Sequence, residues 1–312
     1  MKDPMSIVST RGNTVEEEFL VSATVVKSKK IIACWGDPNK VVFPRSALKP
    51  IQAIPMEQDL SLEYLALACS SHNGEKDHVY KIKQWLKNEL INENELLCPP
   101  ADPENPKILN ELIKNKESTT MFHSSCSGKH VSMLLLSKKL KDSKKYNNVE
   151  SSTQKLILDT IRKYCEFEPH IIEKDGCGVP AVGLPMYNLA LGYLNLSRKN
   201  PKIIKAMRTY PHLVAGTGRI DTMICNSTSG KVLVKTGASG QHVVMIPDYD
   251  ISITIKQHDG GYTGSVIALT NILKNLNILT STEITKLRPY FEKNVLSNDG
   301  GVVGRTFIWS NI

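Results

Sequence analysis

KVLVKTGASGQHVVMIPDYDISITIK, residues 231–256, decides the fold. It holds three short runs rich in Val and Ile: KVLVKT (231–236), HVVMI (242–246) and ISITIK (251–256). Runs of this kind read as strands. The other end of the chain answers them. EFLVSATVV (18–26) alternates and is rich in Val, and residues 30–35 and 40–43 continue the pattern. Between the two ends the text is helical. Apolar residues recur three and four apart over Leu62–Ala68 and over about 75–90, 128–140, 152–165, 182–196 and 201–208. Residues 262–275 and 281–287 also look helical. Strands at both ends with helices between them predict an α+β fold, one sheet built from both termini with a helical region packed beside it. A single domain over 1–312 is expected. Its sheet subdomain takes about 15–50 and 210–312, and its helical subdomain about 51–209.

Composition sets the outer limits. The 312 residues are 41% hydrophobic and 22% charged, which excludes wholesale disorder. A chain this long buries roughly three quarters of its extended surface, so it needs no disulfide or metal in order to fold. No run approaches the ~18 apolar residues of a membrane-spanning helix. The start, MKDPMSIVSTRGNTVEEEF, has no apolar stretch of signal-peptide type, so a cytoplasmic location is the default expectation. The seven cysteines (34, 69, 98, 126, 165, 177, 225) are odd in number and widely spread. In a reducing compartment such thiols are buried, catalytic or metal-binding rather than cross-linked. The formal charge is +8. Its densest run, Lys138, Lys139, Lys141, Lys144 and Lys145, has no interleaved aromatics and reads as a solvated helix end rather than a nucleic-acid surface. Neither nucleic acid nor membrane is an expected partner.

Five clusters carry residue types suited to chemistry. In Phe43-Pro44-Arg45-Ser46-Ala47-Leu48-Lys49 a Ser-x-x-Lys spacing puts Ser46 and Lys49 on one helix face. A neutral lysine amine can take the proton of a serine nucleophile. Cys69-Ser70-Ser71-His72-Asn73-Gly74-Glu75 ends an apolar helix in a loop that presents side chains. Ser124-Ser125-Cys126-Ser127-Gly128-Lys129-His130 precedes an apolar helix, and Asp175-Gly176-Cys177-Gly178-Val179-Pro180 is a tight turn around a cysteine. Lys235-Thr236-Gly237 and Lys256-Gln257-His258-Asp259-Gly260-Gly261 each close a strand with a lysine and a Gly-containing turn. Each cluster alone is equally readable as a helix cap, a turn or a buried thiol. Together they point to an enzyme.

FPRSALKPIQAIP, SSHNGE, CSGKH, DGCGVP, MRTYPHLVAGTGRIDT, KTGASG and KQHDGG follow one another in the order found in the asparaginase II-like family, the thermolabile, Rhizobium-type L-asparaginases. The chain resembles that family from about residue 15 onward. The resemblance implies a fold similar to serine β-lactamases and glutaminases, and hydrolysis of L-asparagine to L-aspartate and ammonia. It implies two Ser–Lys pairs, Ser46 with Lys49 and Ser71 with Lys256. It implies a zinc ion held by Cys126, Lys129 and Cys177, and substrate contacts from Arg45, His130 and Asp175. A homodimer is the family's usual state.

On this reading Ser46 attacks the amide carbon after losing its proton to Lys49, and Ser71 with Lys256 relays that proton to the leaving ammonia. Backbone N–H groups at the start of the Ser46 helix and near Thr236 are candidates for holding the oxyanion. Arg45 suits the substrate's α-carboxylate and Asp175 its α-ammonium. Two other readings use the same residues. Ser46-x-x-Lys49, Ser71-His72-Asn73 and Lys235-Thr236-Gly237 imitate the motif set of penicillin-recognising serine hydrolases. A zinc-stabilised amino-acid sensor would bind asparagine without turnover.

Overall fold

The computed structural model describes residues 3–309; the ends of the expected 1–312 domain, 1–2 and 310–312, lie outside the described residues. Its strands are β1 (Met5–Arg11), β2 (Thr14–Lys27), β3 (Lys30–Trp35), β4 (Val41–Val42), β5 (Ile172–Lys174), β6 (Pro180–Val182), β7 (Leu184–Pro185), β8 (Leu233–Gly237), β9 (Gln241–Ile246), β10 (Ile251–Gln257), β11 (Lys293–Leu296) and β12 (Val302–Ile308). Its helices are α1 (Lys49–Gln52), α2 (Leu62–Ala68), α3 (Lys76–Asn88), α4 (Pro106–Asn115), α5 (Ser127–Lys139), α6 (Ser152–Cys165), α7 (Met186–Lys199), α8 (Pro201–Thr209), α9 (Pro211–Val214), α10 (Ile220–Ser227), α11 (Thr263–Asn275) and α12 (Ser281–Lys286).

Both termini do build one sheet. It is antiparallel, in the order β11-β12-β1-β2-β10-β9-β8, with β3 also paired to β2. The long β2 pairs with β1 along its first half and with β3 along its second. Period-two alternation then splits each strand between two cores. Val244 and Ile246 join Ile253 and Ile255 on the face covered by α11. Val243 and Met245 point the other way, into the helical region. There α7 lies against β2, β9 and β10. The fold is therefore α+β, with helices on both faces of the sheet.

Some elements depart from the expectation. β1 and β12 close the sheet at the chain ends, where no strand was expected. Their buried positions include Ser9, Thr10 and Thr306, and the Thr306 hydroxyl donates to Ser9 Oγ at 3.2 Å. Polar residues on the inner face blur the apolar alternation that a sequence reading needs. The helix expected from 182 starts at Met186, because 180–185 is spent on β6 and β7 and Pro185 sits at its N-cap. The 40–43 run gives only Val41–Val42, paired with β7 in a small separate sheet. The lysine run does end a helix. Those lysines are exposed, and Lys138 and Lys139 pair with Glu95 and Asp59. Among the described residues no helix is long and apolar enough to cross a membrane.

Two glycines bring the elements of the cleft together. A Cβ on Gly128 would stand 2.3 Å from the Leu67 carbonyl oxygen, so α5 can meet the end of α2 only without a side chain there. A Cβ on Gly237 would stand 2.1 Å from the Pro44 carbonyl oxygen, where the end of β8 meets the 3-10 turn Arg45–Leu48. Gly128→Ala is expected to lower the stability of the protein by about 1–3 kcal/mol through this backbone clash. A urea midpoint equal to that of the parent would refute the contact.

Candidate active site

The cleft opens where α2, α5, the β5–β6 turn and the ends of β8 and β9 converge. It encloses about 730 Å³ and is lined by Arg45, Ser46, Ser71, Cys126, Asp175, Cys177, Arg219, Thr236 and His242 among others. All five clusters singled out in the sequence contribute residues to it.

Ser71 stands at its floor. The Ser71 N–H donates to the Val214 carbonyl at 2.8 Å, which ties the loop after α2 to α9. Next to it His72 is fully buried. Its Nδ1 accepts the Gly74 N–H at 3.0 Å, so its Nε2 carries the proton and meets Ser127 Oγ at 2.8 Å. Burial, and then the charge of neighbouring cations, holds this ring well below its ordinary pKa. His72 is thus a neutral strut beneath Ser71 rather than a base.

Two lysines close on the Ser71 hydroxyl. Lys49 Nζ lies 3.1 Å from Ser71 Oγ and also donates to the carbonyls of Ser70 at 2.5 Å and Ser125 at 3.0 Å. Lys235 Nζ lies 3.0 Å from Ser71 Oγ and donates to the Thr236 carbonyl at 2.8 Å. Both lysines are at most 1% exposed. Burial drives the Lys49 amine below its ordinary value. Burial, with the nearby charges of Lys49 and Arg219, takes Lys235 down to about 7 against the opposing pull of Asp221.

The pairing expected from the resemblance is redrawn here. Lys256 does not reach Ser71. It is half-buried, and its amine donates to the Ser239 carbonyl beside Lys40 and His258. In β10 Lys256 lies level with Gln241 of β9, two residues beyond the position level with Lys235, and its amine reaches the β8–β9 turn rather than the cleft floor. Lys235, in the K-T-G cluster, takes the position instead. Lys49 likewise turns to Ser71 rather than to Ser46. Ser46 lines the cleft, and among the described residues its hydroxyl has no hydrogen-bond partner. The Thr236 N–H is also spoken for, since it donates to Asp221 Oδ1 at 2.7 Å and so cannot hold an oxyanion.

Arg45 and Asp175 face the cleft as a pair. Arg45 Nε and Nη2 donate to the two Asp175 oxygens at 2.9 and 2.7 Å. Arg45 has φ +52°, a left-handed conformation uncommon outside glycine, and this fork holds its side chain there. Asp175 is presented by the turn between β5 and β6, with the Gly178 N–H donating back to the Asp175 carbonyl at 2.8 Å. His130 is not at the cleft. It is fully buried behind α5 with Nδ1 on the Tyr146 hydroxyl at 2.9 Å, and burial with the charge of Lys129 takes it down to about 3. One face of α5 carries Cys126 to the cleft, and His130 falls on a face turned into the core.

The two thiols and the amine named for zinc do converge. Lys129 Nζ donates to Cys177 Sγ at 3.0 Å, and Cys177 is hydrogen-bonded to Cys126. The bond from Cys177, and then the charges of Lys49 and Lys129, hold the Cys126 thiol well below its ordinary value. The bond to Cys126 and burial push Cys177 up, so the pair gives up one proton readily and keeps the other. Against the cost of its own burial, the neighbouring sulfurs keep Lys129 charged. Two sulfurs and one nitrogen in mutual contact fit a thiophilic cation, provided it displaces the protons they now hold. A second cluster, Glu75, His78 and His212, is less suited to a metal. The Glu75 carboxylate is filled by Asn73, Asn105 and Thr217, and His78 uses both ring nitrogens on backbone groups.

The family model described as L-asparaginase II matches residues 7–308. The chain belongs to the L-asparaginase II family and is an amidohydrolase. No curated protein matches it. Among solved structures it is similar to a putative β-lactamase from Bacteroides dorei DSM 17855, with 14% identity, 82% of this chain and 93% of that chain covered, and a TM-score of 0.47. It is also similar to a class C β-lactamase (13% identity, 83% and 92% covered, TM-score 0.41). A third is the octameric penicillin-binding protein homologue from Pyrococcus abyssi (11% identity, 92% and 80% covered, TM-score 0.42).

The thiol chemistry can be checked directly. In chelator-treated protein Cys126 is expected to be the first of the seven cysteines to react with iodoacetamide near neutral pH, because it lines the cleft as a thiolate. Cys69 and Cys165 are fully buried and pushed up to about 12, and are expected to stay unmodified until the protein unfolds. Peptide mapping that finds Cys69 or Cys165 labelled first would contradict this order.

Proposed function

We propose that the protein hydrolyses L-asparagine to L-aspartate and ammonia, with Ser71 as nucleophile, Lys235 as base and Lys49 as a fixed cation. One observation carries the reading: a single serine hydroxyl lies between two buried lysine amines at the floor of the cleft. The hydrogen-bond inventory separates their roles. Lys49 donates to two carbonyls, has Ser71 Oγ within bonding distance and also meets Cys126, a set of acceptors that suits an ammonium. Lys235 has the Thr236 carbonyl and Ser71 Oγ within bonding distance, and Asp221 only at 4.0 Å. That suits a neutral amine whose lone pair faces the Ser71 proton.

The reaction then runs in two steps. Ser71 Oγ forms a bond to the side-chain amide carbon while its proton passes to Lys235 Nζ. The tetrahedral oxyanion collapses, the C–N bond breaks, and the same proton leaves with ammonia. Water attacks the resulting ester and gives a proton to Lys235 Nζ; the C–O bond to Ser71 breaks, that proton returns from Lys235 to Ser71 Oγ, and aspartate is released. Lys49 lowers the charge cost at Ser71 throughout. The Ser46 hydroxyl, without a protein partner, is available to the substrate. The Arg45–Asp175 fork offers a carboxylate and a guanidinium together, the complement of an α-ammonium beside an α-carboxylate.

A penicillin-recognising hydrolase would need the Ser46–Lys49 bond of its first motif, and Lys49 is engaged elsewhere. Cys126, Lys129 and Cys177 would hold a zinc ion, which would supply fixed positive charge at the cleft wall. Added zinc should then protect Cys126 from the alkylation described above, and unchanged labelling would remove the metal from this account. A homodimer is proposed on the same family grounds, with sedimentation velocity as its check.

Ser71→Ala is expected to lower kcat for ammonia release from asparagine about a thousandfold or more. Lys256→Ala is expected to stay within about threefold of the parent, as its amine is outside the cleft floor. The reverse pattern would return the pairing to Ser71 with Lys256. Because Lys235 acts as a neutral base and titrates at about 7, kcat/KM should fall about tenfold per unit as pH drops below that value. A profile flat from pH 7 to pH 5 would exclude Lys235 from the role.

A further inference from the structure

Behind the cleft edge lies a row of buried polar side chains that the reaction above does not use. Asp221, in the first turn of α10, is 3% exposed. Its Oδ1 accepts the Thr236 N–H at 2.7 Å and its Oδ2 accepts the Thr236 hydroxyl at 2.6 Å. Thr236 Oγ1 lies 3.0 Å from His242 Nδ1, and His242 Nε2 lies 3.0 Å from Ser265 Oγ. The four residues come from α10, β8, β9 and α11, and all are at most 5% exposed.

The direction of the bonds joining His242, Thr236 and Asp221 is forced. Asp221 is kept ionised despite its burial by Lys235 whenever that amine is protonated, and at all times by the charge of Arg219 and the two Thr236 bonds. A carboxylate only accepts, so the single Thr236 hydroxyl proton must point to Asp221. Towards His242 the hydroxyl can then only accept, which requires the proton of the ring on Nδ1. Burial takes His242 down to about 4, so the ring is neutral and Nε2 has a lone pair. That lone pair takes the proton of Ser265, in competition with the Tyr262 carbonyl at 3.0 Å. The bonds joining His242 and Thr236 to Asp221 therefore point toward one carboxylate.

We propose that Asp221 is a positioning residue for the amine next to it: it polarises the row Ser265→His242→Thr236→Asp221, fixes the strand that carries Lys235, and balances the cations around Ser71. The inference rests on the reading of Lys235 as the base. The groups facing that amine are Asp221 from α10, Arg219 just before it, Lys49 from α1, Cys69 at the end of α2 and His242 from β9. Asp221 is the one carboxylate among them, 4.0 Å from Lys235 Nζ.

Asp221→Asn keeps the size of the side chain but replaces an acceptor with a donor. An amide NH₂ facing Thr236 Oγ1 turns the Thr236 proton to His242 Nδ1, and the ring proton moves to Nε2, where it points at Ser265. Long-range ¹H–¹⁵N correlation spectra of histidine-labelled protein are expected to show His242 as the Nδ1–H tautomer in the parent and the Nε2–H tautomer in Asp221→Asn. An Nε2–H ring in the parent overturns the row by itself, whether or not the variant folds. In asparagine turnover the variant is expected to lose about tenfold or more in kcat with KM within about threefold. The acid limb of its kcat/KM profile should move to lower pH, because an amine that has lost its counter-charge gives up its proton more easily. A limb that stays in place while kcat falls would reduce Asp221 to a structural role and overturn the proposal. Absence of asparagine turnover in the parent would instead refute the proposed function, and the tautomer of His242 would still report on the row.

Discussion

Two lysine amines held in a dry interior around one serine hydroxyl are the constraint on which the rest of this structure depends. An isolated buried ammonium costs several kcal/mol after relaxation, so such a group either finds acceptors or loses its proton. The chain does one of each. Lys49 is surrounded by the carbonyls of Ser70 and Ser125, supplied by the ends of two helical segments. Lys235 sits against a carbonyl of its own strand and a carboxylate slightly too far for a hydrogen bond. On the reading proposed above, this asymmetry separates a fixed cation from a base within a few ångströms, by burial and the placement of acceptors.

That arrangement needs helices and strands to approach more closely than side chains ordinarily permit. Gly128 lets α5 touch the carbonyl of Leu67 at the end of α2, which delivers Ser125 and Cys126 to the neighbourhood of Ser70 and Ser71. Gly237 lets the end of β8 touch Pro44, which brings Lys235 and Thr236 against the turn that carries Ser46 and leads into Lys49. The glycines of CSGKH and KTG are therefore packing residues first. The reactive side chains beside them reach the cleft because backbone meets backbone.

Charge is balanced locally across the cleft. The Arg45–Asp175 fork and the Lys129 ammonium beside the Cys126–Cys177 pair each set a cation against an anion or thiolate, and Asp221 stands 4.0 Å from Lys235. Arg219 is different: it donates to the Asn73 side-chain oxygen Oδ1 at 3.3 Å and, among the described residues, forms no ion pair. The protein as a whole carries +8, so the buried anions near the site act against a positive background.

The alternation of Val and Ile in 18–26 and 231–256 determined the inner strands β2, β8, β9 and β10, and three-and-four spacing determined most of the helices, because both are local consequences of side-chain periodicity and burial. The clusters that line the cleft were also legible, since hydroxyls, thiols and lysines beside glycine are visible in the text. Which lysine meets which serine was not. Lys235 and Lys256 both close strands before Gly-containing turns, and nothing local distinguishes them. The sheet order decided between them, because β8 ends against the 3-10 turn of Arg45–Leu48, while Lys256 lies two strands away on β10, two residues beyond the position level with Lys235, where its amine meets the Ser239 carbonyl. His130 shows the same limit: its neighbours in sequence reach the cleft, but the turn of α5 carries it into the core. Strand alternation and helix spacing depend on residues a few positions apart, whereas the protonation of a buried amine depends on acceptors brought from 20 to more than 150 residues away, and only the packed chain fixes those.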